Sequence, residues 1–323
     1  MNADTNANES DESEDDDVDH NESEQSDDNS VSDGGDYVSV DRFEYHPEWD
    51  APVVGAIPTV EMHRTHRAFV EAAAPDAVVV PFVRARQCVK RGDSAADWLP
   101  ESVDREGVTV ITTMTVSDDD LARISWQREV DVIEAFDPDY HVPADYPVYG
   151  DDPVDQRVEN CMQCAVGTEW VSDRLPDDVG IIPLIKGTTP DERAICERQA
   201  AHLGADMVAV YGGQYFGAGG GGGRKRLVED LQAINVETGS MPTLVIGSLS
   251  PWVLKETPPN VVAGAGLRAW REAVEPRSST PEDMRRRFDE LSAEVVEALG
   301  IVPDPTADDP ATDPDTVDTT GGM

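Results

Sequence analysis

Two residues with chemical potential stand at the ends of apolar runs, Asp145 in "VPADYPVYGDD" (142–152) and Lys186 in "IIPLIKG" (181–187). A carboxylate inside such a run carries a large desolvation cost unless it is paired or meets a ligand. The other reading makes Asp145 an acceptor of backbone N–H groups in a turn shaped by Pro143 and Pro147. Lys186 is open to three readings: a Schiff-base nucleophile, a cation facing an anionic ligand, or a solvated or ion-paired side chain. A third apolar run, "DMVAVYGG", ends in Gly212 and Gly213 and is followed by Gln214; glycines there let backbone come close to a flat or phosphorylated ligand. The run of glycines at 219–223 lacks Walker spacing and reads as a flexible connection.

Two basic groups stand out in an acidic chain: Arg84 and Arg86 with Lys90 and Arg91, and the trio Arg224, Lys225 and Arg226. They suit contacts to nucleic-acid phosphates, or surface ion pairs. "NCMQC" spaces Cys161 and Cys164 by two residues, but no second pair or well-spaced histidine completes a zinc site, so buried helical thiols are expected. "EMHRTHRAF" sets His63 and His66 at i and i+3, a spacing that could ligate a metal but suits capping and surface roles better. No G-x-S-x-G or H-E-x-x-H pattern is present, and neither metal nor cofactor is expected.

The elements that must position these residues are eight apolar runs, at 51–57, 76–83, 107–116, 139–149, 179–187, 206–213, 242–248 and 260–267. Their near-continuous apolar character predicts parallel strands buried on both faces. Helical signals lie between them. Ser117 caps a helix predicted to run through "SDDDLARISWQREVDVIEAF", Pro190 opens one that Gly204 closes, and "PEDMRRRFDELSAEVVEALG" (281–300) is the last. The connections at 84–106 and 249–259 carry weaker signals. Eight strands with helical crossovers predict a (β/α)8 TIM-type barrel over residues 37–302, with a doubly wound open parallel sheet as the alternative. In a barrel, reacting groups project from the C-terminal ends of the strands; Thr112, Thr113, Thr115, His141, Tyr149, Ser248, Ser250 and Arg268 also fall there.

Among 323 residues, acids outnumber Lys and Arg by 66 to 25, and only four of the bases are Lys, which points to a proteome adapted to high salt. Residues 1–36 hold 15 acids and 303–323 hold 6, with no Lys or Arg in either; both read as disordered acidic tails. No apolar run is long enough for a membrane span and no secretion signal is visible, so a cytoplasmic protein with four reduced cysteines, Cys88, Cys161, Cys164 and Cys196, is expected.

The segment "GIIPLIKGTTPDERAICERQAAHLGADMVAVYGGQYFGAG", with "TLVIGSLSPWVLKE" and "VVAGAGL" after it and "VPADYPVY" before it, resembles the second half of the tRNA-guanine transglycosylase barrel, over residues 139–270. Lys186 and Gly187 stand where that family has Gln-Gly, and Gly212 and Gly213 match its Gly-Gly. The resemblance implies a (β/α)8 barrel that exchanges guanine for a 7-deazaguanine base in tRNA or, in the DNA-acting branch, in a genome. Asp145 would take the guanine-recognising role, Gly212, Gly213 and Gln214 would meet the base carbonyl, and Lys186 would contact a phosphate or that carbonyl. The family's late-strand nucleophilic aspartate, its early Asp-Ser-Gly and its zinc ligands have no counterpart at the matching positions. A barrel that only binds nucleic acid or a protein partner, and a Schiff-base lyase using Lys186, are the other readings.

Overall fold

The computed structural model describes residues 51–216 and 222–301. The acidic tails, residues 37–50 and the middle of the glycine run lie outside them. In chain order the elements are β1 (Gly55–Pro58), α1 (Arg64–Ala73), β2 (Ala77–Pro81), α2 (Phe82–Arg91), α3 (Ala95–Trp98), β3 (Thr109–Thr113), α4 (Asp118–Leu121), α5 (Trp126–Phe136) and β4 (Tyr140–Val142). There follow α6 (Val154–Ser172), β5 (Gly180–Ile181), α7 (Pro190–Leu203), β6 (Val208–Tyr211), α8 (Gly223–Glu237), β7 (Thr243–Ile246), α9 (Pro251–Leu254), β8 (Val261–Gly266), α10 (Arg268–Val274) and α11 (Pro281–Leu299).

Seven of the eight strands fall inside the apolar runs, β1 extends one residue past its run to Pro58, and every pairing is parallel. They form two four-stranded sheets, ordered β1-β8-β7-β6 and β2-β3-β4-β5. Neither sheet has the reversal of strand order that defines the switch point of a doubly wound sheet. Single parallel bridges connect the edges of the two sheets: Thr59 meets Val79 after β1, and Leu184 meets Ala209 after β5. Strands are shorter than their apolar runs where proline removes the ladder donor, as at Pro143 and Pro147 after β4 and Pro183 after β5. Ile57, Val79, Ile111, Val142, Ala209, Val245 and Ala263, from seven of the strands, join one apolar core with Leu184 just after β5, and Ile181 of β5 packs against it.

The helix starts follow local capping chemistry. Thr189 caps α7, with Pro190 in the first turn and Gly204 closing it at φ 64°. Thr280 and Gly300 do the same for α11. The single helix expected after Ser117 is two: Ser117 caps α4, the chain turns at Ala122–Ile124, and Ser125 caps α5 by accepting from Arg128 N. This break leaves the acidic turn of α4 beside the loop that follows β4. None of the helices among the described residues is long and apolar enough to cross a membrane.

Candidate active site

The loops that follow β3, β4, β5 and β6 enclose a cavity of about 370 Å³ lined by Ser117, Asp118, Asp119, Asp145, Pro147, Tyr149, Lys186, Tyr211 and Gln214, among others. This is within the size range of small-molecule sites, about 300–1,000 Å³. Lys186 and Asp145, 41 positions apart in sequence, meet there with Nζ 2.8 Å from Oδ1, and each side chain is 5% exposed or less. Oδ1 is shielded from solvent, with that ammonium as its neighbour. Burial pushes the Asp145 carboxyl above the usual carboxylate range, and the ammonium of Lys186 opposes that rise. For Lys186 burial works downward, but the charge and hydrogen bond of Asp145 outweigh it and hold the amine protonated.

The backbone before Asp145 is held by a second layer of polar groups. Ala144 adopts a left-handed conformation, φ 46°, which costs a residue with a Cβ about 1–3 kcal/mol. Its N–H donates to Glu129 Oε1 at 2.9 Å. The same oxygen lies 2.9 Å from His141 Nε2, and His141 Nδ1 lies 2.8 Å from Thr112 Oγ1. All three side chains are buried. His141 thus bonds through both ring nitrogens, and the Thr112 hydroxyl donates to Tyr140 O at 3.3 Å. Gly167 on α6 completes the fit: a Cβ there would lie 2.8 Å from both Ala144 Cβ and Trp126 Nε1. Gly187, at φ 130°, turns the chain from Lys186 into α7, where a Cβ would strike Arg193 N at 2.7 Å.

The cavity wall carries three carboxylates, Asp118, Asp119 and Asp145, against one ammonium. Such a wall favours a ligand that offers N–H donors or developing positive charge and disfavours a phosphate. Tyr149 OH donates to both oxygens of Asp118, at 3.0 and 3.2 Å. Burial, followed by this bond, pushes Tyr149 up to about 12, so it stays a donor.

Of the residues picked from the sequence, Asp145, Lys186 and Gln214 line this cavity together. Gly213 starts the short turn that carries Gln214, and a Cβ there would strike the Tyr211 ring. Gly212 does not fit the role the resemblance implies, because its N–H is already bonded to Ile246 O at 2.7 Å. Arg84, Arg86, Arg224, Lys225 and Arg226 do not line the cavity. Arg84 pairs with Glu61, Arg224 pairs with Glu256 and lies over the Trp252 ring, and Lys225 pairs with Glu229. Cys161 and Cys164 are buried helical thiols facing Cys196, behind Lys186.

Asp118 and Tyr211 were missed as cavity residues. The "SDDD" triplet looks like an ordinary acidic first turn, and only its position directly after a strand end marks it. A larger cavity, about 640 Å³, lies at the opposite ends of β5 and β6; among the described residues Asp206 is the only charged side chain that lines it. Compared with models of known protein families and with curated proteins, the chain matches none.

Proposed function

We propose that the two sheets close into one (β/α)8 barrel whose cavity binds a guanine-like base and exchanges it within tRNA or DNA. The sheet orders and the two parallel edge bridges support the closure. The observation that carries the functional reading is the pair of Asp145 and Lys186 on one wall, an acceptor beside a donor, both buried. The edge of guanine offers two N–H donors next to a carbonyl oxygen, which is the complement of that pair. Gln214 adds a second group for the carbonyl, and Tyr149 and Tyr211 supply aromatic walls for the ring.

Asp118 takes the role of nucleophile at the sugar. Its carboxylate oxygen bonds to C1′ as the C1′–N9 bond breaks and guanine leaves with the bonding pair, taking a proton from solvent water. The incoming 7-deazaguanine then attacks C1′ through N9, the C1′–carboxylate bond breaks with its pair returning to Asp118, and the N9 proton passes to the hydroxide left in the first step. Asp119 and the remaining negative wall stabilise positive charge developing on the ribose.

The test is incubation of folded protein in molar KCl with radiolabelled guanine and tRNA or DNA. Incorporation is expected, with Asp118→Asn abolishing exchange but keeping base binding and Asp145→Asn abolishing both. A wild-type protein that binds neither guanine nor a 7-deazaguanine refutes the reading. A base-binding barrel without exchange is the second reading; the "VVAGAGL" end of β8, which supplies no carboxylate, favours it, and base binding without incorporation would establish it. The lyase reading is weakened by Asp145, which keeps the Lys186 amine protonated.

A further inference from the structure

At the start of α1, away from the Asp145 cavity and sharing none of its lining, lies a second cavity of about 150 Å³. It is lined by His63, Thr65, His66, Arg271, Glu275, Arg277 and neighbours. We infer that it is a binding site for a single phosphate-type oxyanion, held by His66, Arg271, Arg277 and the first turn of α1.

The buried donor is His66, 1% exposed. Its Nδ1 accepts the Glu61 N–H at 2.9 Å, so the proton of the neutral ring sits on Nε2, and no described residue is seen to accept it. Burial, with the charges of His63, Arg271, Arg84 and Arg277 behind it, lowers His66 to about 3. The ring thus reports a positive field and remains a neutral N–H donor. Helix α1 adds to that field. Its N-cap, His63, makes no side-chain cap bond, and the first turn contains no acid, so the first N–H groups and the helix dipole are left to an incoming anion.

The walls are fixed. Trp270 Nε1 donates to Thr59 O at 2.9 Å and its ring stacks on Phe69, which locks α10 against α1. The two carboxylates nearby are already engaged: Glu61 lies 3.3 Å from Arg84 and 4.0 Å from Arg271, and Glu275 pairs with Arg287. The volume is below that of ordinary small-molecule pockets, about 300 Å³ and upward, and suits one tetrahedral group.

A divalent cation is the competing occupant, because ligand atoms of Glu61, His63 and His66 lie within 4.8 Å of one another. The tautomer of His66 and the guanidinium groups of Arg271 and Arg277 work against it. The measurement is titration of the intact chain in KCl with inorganic phosphate, followed by calorimetry and by the imidazole ¹⁵N shifts of His66. Phosphate should bind saturably and move the His66 Nε2–H signal. Arg271→Ala/Arg277→Ala, both exposed positions, should weaken it about tenfold or more without lowering Tm in the absence of phosphate and without altering base binding at Asp145. Unchanged phosphate affinity in this variant, or stoichiometric Zn²⁺ binding with no phosphate binding, overturns the proposal. Tighter binding of a nucleoside 5′-monophosphate than of inorganic phosphate assigns the site to a phosphorylated ligand, and the reverse assigns it to the free ion; both support an oxyanion site.

Discussion

Replacing Lys186 by methionine leaves Asp145 buried with no counter-charge. At 2.8 Å the attraction between the two groups is about 6 kcal/mol for an effective dielectric constant of about 20. Removing one member of a buried pair generally costs about 3–5 kcal/mol, because the remaining charge is left uncompensated. For a body of this size, with Tm moving about 2–4 °C per kcal/mol, Lys186→Met should melt about 6–20 °C lower. The variant should also acquire a pH dependence of definite sign. Its carboxyl has lost the ammonium that opposed the effect of burial, so its folded value lies further above the unfolded value of about 3.9. Between those two values the folded state binds more protons than the unfolded one, so stability is greatest near pH 4, falls as pH rises through the folded value, and then levels. The double variant Asp145→Leu/Lys186→Met removes both charges and should recover most of the loss. Scanning calorimetry in molar KCl from pH 4 to 8 measures all three. A stability change in Lys186→Met no larger than that of a surface substitution, under about 0.5 kcal/mol, would refute the buried pairing.

Gly167→Ala should destabilise by about 1–3 kcal/mol and weaken base binding as well, since the added methyl pushes on Ala144, the residue before Asp145; unaltered affinity by equilibrium dialysis would contradict this. Burial, and then the hydrogen bond and charge of Glu237, push Glu197 up to about 7, so wild-type stability should fall as pH rises from about 4.5 to about 7, and Glu197→Gln should flatten that slope in denaturant titrations. The four thiols should be inert to Ellman's reagent in the folded chain and all react in denaturant: each is buried, and the hydrogen bond with Cys196 followed by burial raises Cys161 strongly. A fast native-state reaction would show that one of them is accessible.

The strands were legible because each is an apolar stretch bounded by Gly, Pro or charge, and a strand buried on both faces needs no alternation to betray it. Their true lengths were not, since Pro143, Pro147 and Pro183 end the ladder while the apolar run continues. The α4–α5 break was hidden because Ser125 and Trp126 sit within a pattern that also fits one long helix. At the site, Asp145 and Lys186 were visible as polar groups in apolar runs, yet their pairing depends on β4 and β5 lying side by side, which no local pattern encodes. Asp118 was visible only as one acid of a first helical turn that Ser117 caps. Gly212 shows the opposite failure: its position at a strand end was read correctly, but its N–H is consumed by β7.

Among the described residues the bridge between Leu184 and Ala209 is the only pairing between the β5 and β6 segments, whereas β2 and β3 share five paired positions. Asp118, Asp145 and Lys186 stand on one side of this narrow seam, and Tyr211 and Gln214 on the other. A ligand in the cavity therefore staples two halves that the backbone joins weakly. Occupancy should be readable far from any side chain that touches it, as slower amide exchange at Ile185 and Ala209, the two N–H groups that cross the seam.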